Sequence, residues 1–169
     1  MNHTKLSAKA FEVKGVIDTV FEVPVSAQRL MAYLSNPNTF EKNMPGVKAV
    51  SDKGDGRYEW KFSIDIPFAP PLVLSILTRL VKQDNEISFQ TADSEGDTMA
   101  CAMTLTETRN AKTEVRMKLS IKVRRKSGRD IHPLAPVMGE RFVSEQMTQK
   151  MQSMANAFLK SSTKNLIAA

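Results

Sequence analysis

The stretch Tyr58-Glu-Trp-Lys-Phe-Ser-Ile-Asp-Ile66 alternates apolar and polar residues along its whole length. Successive side chains of a β-strand point to opposite faces, so this period of two predicts a strand with one buried and one solvated face. A one-sided strand needs other elements to cover its apolar face, and the flanking sequence therefore decides the fold. The residues on the apolar face are Tyr58, Trp60, Phe62, Ile64 and Ile66.

Segments with the same period lie on both sides of this strand. Short turns rich in Asp, Asn and Gly separate them, such as Asp52-Lys-Gly-Asp-Gly56 and Asp84-Asn85. Strands joined by such turns pair as antiparallel hairpins. The further predicted strands are Phe11–Val23, Val47–Ser51, Leu72–Lys82, and segments around Ile87–Thr91, Met99–Leu105 and Val115–Val123.

Two regions change to a helical period. After the first strand, Ser26 can cap a short helix that Asn36-Pro37-Asn38 ends, and Thr39–Asn43 predicts a second short helix. Near the C-terminus, apolar residues recur every three or four positions from Leu134 to about Leu166, which predicts one long helix.

These elements predict an α+β helix-grip architecture. Only one long helix is available to cover the apolar face, so a sheet of about seven antiparallel strands must curl around it. The two short helices would close one side, and space could remain between the sheet and the long helix. We expect a single domain over residues 8–166, with flexible termini at 1–7 and 167–169.

Composition and charge exclude several classes of protein. The chain has 169 residues, 41% hydrophobic and 25% charged, which excludes disordered and collagen-like chains. One Cys excludes an internal disulfide, and the N-terminal residues lack the apolar core of a signal peptide. No apolar run approaches the ~20 residues that span a bilayer. We therefore expect a soluble, cytoplasmic protein.

Several short motifs resemble a known family. The order of elements and these motifs together resemble the START-like helix-grip (SRPBCC) superfamily, in particular its carbon monoxide dehydrogenase-associated and polyketide cyclase-like members. The resemblance spans about Ala8 to Leu166. The motifs are Phe21-Glu-Val-Pro24, Leu34-Ser-Asn-Pro37, Met44-Pro-Gly46, Gly54-Asp-Gly56, and a tail from Leu134-Ala-Pro-Val-Met-Gly139 to Asn156-Ala-Phe-Leu159.

The resemblance implies a hydrophobic cavity between the sheet and the long helix. Proteins of this superfamily bind lipids, quinones or polyketides, and most carry or sense a ligand. We therefore expect a non-enzymatic binder of a small hydrophobic molecule. The alternatives are a cyclase on the same fold and an accessory or assembly factor for a membrane or redox enzyme.

The residues themselves indicate no catalytic, metal or cofactor site. The two histidines, His3 and His132, have no metal-ligand spacing around them, and Asp18 and Asp65 fall on outward strand positions. Cys101 lies on an apolar strand face, where a thiol is a neutral core residue rather than a nucleophile. We therefore predict that the protein is not an enzyme and needs no cofactor.

The candidate ligand-binding residues are aromatic and methionine side chains at inward positions. Methionine is flexible and polarisable, which suits a surface that adapts to apolar ligands, although each one could equally be ordinary core. The indole N–H of Trp60 needs a partner, which a ligand oxygen or water could supply; Thr19, Thr78 and Thr91 are polar candidates at inward positions. The predicted binding residues are Trp60, Phe62, Phe89, Met99, Met103, Met117, Met147, Met151 and Met154.

Two surface features predict partners. Arg116, Lys118, Lys122 and Arg124 share the outward face of the last strand, in a chain of net charge +6. This basic row is either a solvated face or a contact for an acidic protein or an anionic membrane. Nucleic acid is an unfavoured partner because no aromatic residue interleaves with the row. The apolar loop Pro67-Phe-Ala-Pro-Pro71 is a gate over the cavity, a membrane wedge, or a loop packed on its own domain.

Overall fold

The computed structural model describes residues 10–91 and 96–168. The expectations for residues 1–7 and for His3 lie outside the described residues. Seven strands form one antiparallel sheet in the order β1-β7-β6-β5-β4-β3-β2. The strands are β1 Phe11–Val23, β2 Val47–Gly54, β3 Arg57–Ile64, β4 Leu72–Gln83, β5 Glu86–Gln90, β6 Thr98–Glu107 and β7 Thr113–Arg125.

The alternation in the sequence becomes the two faces of this sheet. Every second residue of β7 from Val115 to Val123 is buried, while Glu114, Arg116 and Lys118 between them are exposed. β3 and β4 pair in register with Trp60 opposite Ile76, so the apolar residues of neighbouring strands share one face. The predicted α+β class with a seven-stranded sheet is confirmed.

Two short helices follow β1, as predicted. α1 spans Ala27–Leu34, and α2 spans Asn38–Asn43. The Ser26 hydroxyl accepts a hydrogen bond from the Arg29 N–H at 3.3 Å, which caps α1. α2 buries Phe40 against the interior of the sheet.

The long C-terminal helix α3 spans Ala135–Ala168. The sequence predicts a continuous helix from Leu134, but the structure interrupts it at Gly139, whose φ of 84° and ψ of 170° are not helical. Glycine has no Cβ and adopts such a φ at little cost, so the entry turn is set at an angle to the rest of α3. In the described part of the chain, no helix combines the length and apolar character needed to cross a bilayer.

Contacts of α3 with both edges of the sheet show that the sheet curls. A Cβ added at Gly15 of β1 would lie 3.1 Å from Met147 Cγ and would collide with the Met151 side chain. A Cβ added at Gly46, just before β2, would lie 2.7 Å from Met154 Cε. A flat sheet would separate these two edges by about 29 Å, whereas Met151 and Met154 lie one turn apart. The sheet therefore wraps around α3.

α3 also covers the free edge of β1. The N–H groups of Glu12, Lys14 and Val16 donate to Glu140 Oε2 at 3.3 Å, Ser144 Oγ at 3.0 Å and Thr148 Oγ1 at 3.2 Å, respectively. Four helical residues rise about 6 Å, close to the span of two strand residues, so an i, i+4 series matches alternate strand positions. These bonds satisfy an edge that would otherwise be open to pairing.

Candidate functional site

The inward face of α3 is a row of methionines. Met147, Met151 and Met154 are at most 3% exposed and lie on one face, because spacings of four and three keep side chains in line on a helix. Gly15 and Gly46 allow the backbone at the two sheet edges to approach this row closely. The row therefore lies between the sheet and the helix, where the sequence predicts it.

An aromatic cluster fills the space beyond the methionines. The Trp60 ring lies 5.3 Å from Phe40, 5.1 Å from Phe89 and 6.0 Å from Phe62, measured between ring centroids. Phe158 of α3 stacks on Phe40 at 4.6 Å. Edge-to-face and stacked pairs at these distances are favourable beyond the area they bury. The cluster joins the sheet, α2 and α3 into one core.

The partner of the Trp60 indole N–H is a side chain of the protein itself. Trp60 Nε1 donates to Thr78 Oγ1 at 2.9 Å, and both residues are 1% exposed. The sequence left a ligand oxygen or water as the partner, and the structure places Thr78 there instead. Thr91 is likewise engaged, because its Oγ1 accepts from the Met99 N–H at 2.9 Å.

All nine predicted binding residues face the interior. Each is at most 4% exposed, and they pack on one another and on further buried side chains, so the protein fills this space itself. Their role in binding stays a prediction. Phe40 and Phe158 belong to the same cluster and are absent from the predicted set; Phe158 was recognisable from its helical spacing, while nothing in the sequence of α2 pointed Phe40 inward.

A polar side chain that the sequence did not single out also faces inward. Ser162 is 3% exposed, and among the described residues its Oγ is a buried side-chain polar atom with no hydrogen-bond partner. It follows Met154 and Phe158 at successive intervals of four, which places it on the same face of α3. An unsatisfied buried hydroxyl costs about 1–3 kcal/mol. This hydroxyl is therefore available to a ligand with a hydrogen-bonding group.

The other buried groups offer little chemistry. Burial raises the pKa of the Cys101 thiol to about 12, so the predicted neutral core thiol is confirmed. His132 is 2% exposed, and both ring nitrogens are engaged: Nδ1 accepts from the Leu134 N–H at 3.0 Å, and Nε2 lies 3.0 Å from the Pro67 carbonyl oxygen. Among residues 10–91 and 96–168, no three His, Cys, Asp or Glu side chains lie together as a metal site.

The outer face of the sheet carries the basic row and a depression. The depression has a volume of about 450 Å³, with Ala100, Ala102 and Ser120 on its floor and Lys14 and Lys118 at its rim. It is shallow because small side chains are surrounded by long ones. The outward direction of all four residues of the basic row is as the sequence predicts.

Ion pairs neutralise half of the basic row. Arg116 binds Asp18 through two hydrogen bonds of 3.0 and 2.8 Å, which hold the pKa of the Asp18 carboxyl below its usual value. Arg124 Nε lies 3.3 Å from Glu12 Oε2. Within the described ranges, Lys118 and Lys122 form no ion pair, and Lys14 lies directly opposite Lys122. The free positive charge is thus carried by three lysines.

Similar architectures occur in solved structures. No family model matches the chain, and no curated protein matches it. A START superfamily protein from Mycobacterium smegmatis superposes with a TM-score of 0.65 at 14% identity, over 89% of this chain and 98% of that one. The Zhui aromatase/cyclase from a Streptomyces species gives a TM-score of 0.65 at 13% identity, over 90% and 93% of the two chains.

The chain has the START-like helix-grip fold. A conserved protein from Geobacillus kaustophilus shares the fold with a TM-score of 0.64 at 14% identity, over 92% of this chain and 96% of that one. The helix-grip resemblance is therefore confirmed at the level of fold. Identities this low leave the likeness to the carbon monoxide dehydrogenase-associated group as a prediction.

Proposed function

We propose that the protein reversibly binds a small apolar molecule that carries one hydrogen-bonding group, in the interior between the sheet and α3. The observation that carries this proposal is the unpartnered hydroxyl of Ser162, buried on the inward face of α3 beside the methionines and the aromatic cluster. A ligand carbonyl or hydroxyl would satisfy it, while the apolar body of the ligand would lie against Met154 and Phe158.

The methionines explain how an interior that is filled in the free protein can admit a ligand. Seven of them are buried: Met44, Met99, Met103, Met117, Met147, Met151 and Met154. An unbranched thioether side chain changes rotamer at little cost and repacks around objects of different shape. A ligand would thus displace methionine side chains from a site that closes when it leaves.

A carrier fits the residues better than a cyclase does. The Zhui aromatase/cyclase is an enzyme on the same fold, so the fold itself accommodates both functions. Cyclisation needs a positioned acid or base next to the substrate. Asp18 and Asp65 are exposed outside the core, and the ring nitrogens of His132 are committed to the backbone. These placements favour binding without catalysis.

The single tryptophan provides a direct test of the site. Menadione, an apolar quinone with two carbonyl groups, quenches indole fluorescence on contact, and Trp60 lies inside the proposed site. We expect saturable quenching of Trp60 at one menadione per chain. Ser162→Ala should weaken menadione binding about threefold to tenfold, the equivalent of one hydrogen bond.

Matched controls separate the hydrogen bond from general apolar binding. 2-Methylnaphthalene has the same ring size without carbonyls, so its binding, measured by displacement of an apolar naphthylamine dye, should be equal in the wild type and Ser162→Ala. Ser153→Ala, an exposed serine of the same helix, should leave both affinities unchanged. Quenching that never saturates, or an equal loss for both compounds, would contradict the proposal.

The three unpaired lysines support a second candidate function, the binding of an acidic segment of a partner protein on the outer face. Lys14 and Lys122 lie directly across from each other, and like charges in this arrangement destabilise a sheet. Lys118 flanks the same depression. An acidic segment would neutralise all three lysines at once, whereas the arginines of the row already have partners.

A fluorescein-labelled deca-glutamate peptide tests this surface by fluorescence anisotropy. We expect binding at low ionic strength that weakens as salt is added. Lys118→Glu with Lys122→Glu should lower the affinity at least tenfold. The control pair Lys82→Glu with Lys164→Glu changes the net charge equally at exposed sites elsewhere and should cost twofold or less. Equal losses in both double variants would show a general charge effect and refute the candidate.

A further inference from the structure

Four large apolar side chains project into solvent at one end of the molecule. Phe68 is 93% exposed, Val137 83%, Leu134 48% and Met138 46%. We call these four residues the apolar tip. Phe68 lies in the loop between β3 and β4, and the other three lie at the entry to α3. Exposed apolar groups that cluster in this way mark a contact surface rather than random exposure.

The topology and one buried histidine bring the two segments together. β3 and β7 run in the same direction, so the loop after β3 and the segment after β7 emerge from the same end of the sheet. His132 then links them, because Nδ1 accepts the Leu134 N–H and Nε2 donates to the Pro67 carbonyl oxygen. The apolar tip is therefore one preformed surface built from two distant parts of the sequence.

The backbone holds Phe68 outward. Its φ is 64°, in the left-handed region that non-glycine residues rarely adopt and that costs about 1–2 kcal/mol. Pro67, Pro70 and Pro71 restrict the loop around it, and the Ala69 N–H donates to the Ile66 carbonyl at 3.2 Å. The strained and stiff loop presents the ring to solvent instead of folding it onto the core.

Charges beside the apolar tip complement an anionic lipid surface. Lys126 and Arg129 lie between the end of β7 and His132, and neither forms an ion pair within the part of the chain that the structure describes. Arg125 is held by Asp97 at 2.8 Å. Asp65 and Asp130 lie nearby and offset part of the positive charge, so apolar insertion supplies most of the affinity and the two free cations add a preference for anionic lipid.

We propose that the apolar tip inserts into the interfacial layer of a lipid bilayer, with Lys126 and Arg129 at the level of the phosphates. A stable protein interface takes about 20–30 residues on each side. Four side chains on a narrow projection are too few for that, but they suit insertion between lipid headgroups. This inference does not depend on the ligand proposed above, because it concerns the surface of the free protein.

Co-sedimentation with vesicles of phosphatidylcholine containing about one third phosphatidylglycerol tests the proposal. We expect the wild type to bind at low salt, and to bind pure phosphatidylcholine vesicles more weakly. The double variant Phe68→Asn, Val137→Gln should bind at least tenfold more weakly. Asn tolerates the positive φ of position 68 and both sites are exposed, so the fold is preserved; thermal unfolding checks this.

A matched variant controls for the loss of apolar surface in general. Val20 and Val81 are 55% and 43% exposed on the outer sheet face, near the opposite end. Val20→Asn with Val81→Gln should change vesicle binding less than twofold. A wild type that stays in the supernatant, equal losses in both double variants, or tip-variant binding equal to wild type would each overturn the proposal. So would a change in the self-association of the protein alone, because the partner would then be a second copy.

Discussion

Met151→Lys is expected to unfold the protein, or to lower its free energy of unfolding by at least about 3 kcal/mol, because it leaves an unpaired charge in a dry core. Met151 is 1% exposed and lies against Gly15, where even a methyl group has no room. Carboxylates near this site, such as Asp18, point to the outer face and cannot pair with the new lysine. Urea unfolding followed by circular dichroism measures the change.

A neighbouring position supplies the control for this substitution. Ser153 is exposed on the opposite side of the same helical turn, so Ser153→Lys adds the same charge to α3 without burying it. We expect a change within about 0.5 kcal/mol there. A Met151→Lys protein as stable as Ser153→Lys would mean that the inward face of α3 borders water, and the packing described for Gly15 would be wrong.

Trp60→Ala is expected to cost about 3–5 kcal/mol, the usual effect of truncating a fully buried aromatic side chain. Trp60 packs on Phe40, Phe62 and Phe89, and the cavity left by its removal is bounded by secondary structure on all sides. The free Thr78 hydroxyl would add to the loss, since it would have no indole N–H to accept. Thermal or urea unfolding is the measurement.

A smaller substitution at the same site separates packing from hydrogen bonding. Trp60→Phe keeps a ring in the cluster but removes the N–H donor to Thr78, and we expect it to cost about half as much as Trp60→Ala. Thr78→Val removes the acceptor and should cost about 1–3 kcal/mol, because the indole N–H is then buried without a partner. A Trp60→Ala protein of unchanged stability would contradict the inward assignment of β3.

The strand faces and the order of elements could be predicted from the sequence. The side-chain period of a strand is two, so the alternation in Phe11–Val23 or in Tyr58–Ile66 assigns each residue to a face without knowledge of its partners. The helical spacing of Met147, Met151 and Met154 likewise determined their common face. One long helix and many hairpins leave few arrangements other than a sheet curled around that helix.

The break at Gly139 and the inward position of Phe40 were not predictable in this way. Gly139 stands among residues that continue a helical pattern, and its positive φ depends on how the entry turn meets the sheet. Phe40 lies in a helix of six residues, too short for a period to show which face is buried. Such local features are decided by packing rather than by pattern.

Interactions between distant strands were decided by the tertiary structure alone. β1 and β7 are neighbours although they are the first and last strands, and only that pairing places Asp18 beside Arg116 and Glu12 beside Arg124, which neutralises half of the basic row. The same holds for Trp60 with Thr78 and for His132 with Pro67. Periodicity determines which face a side chain occupies, because it is a property of the local backbone. Which group it meets there depends on strand order and register, which the whole chain sets when it buries its core.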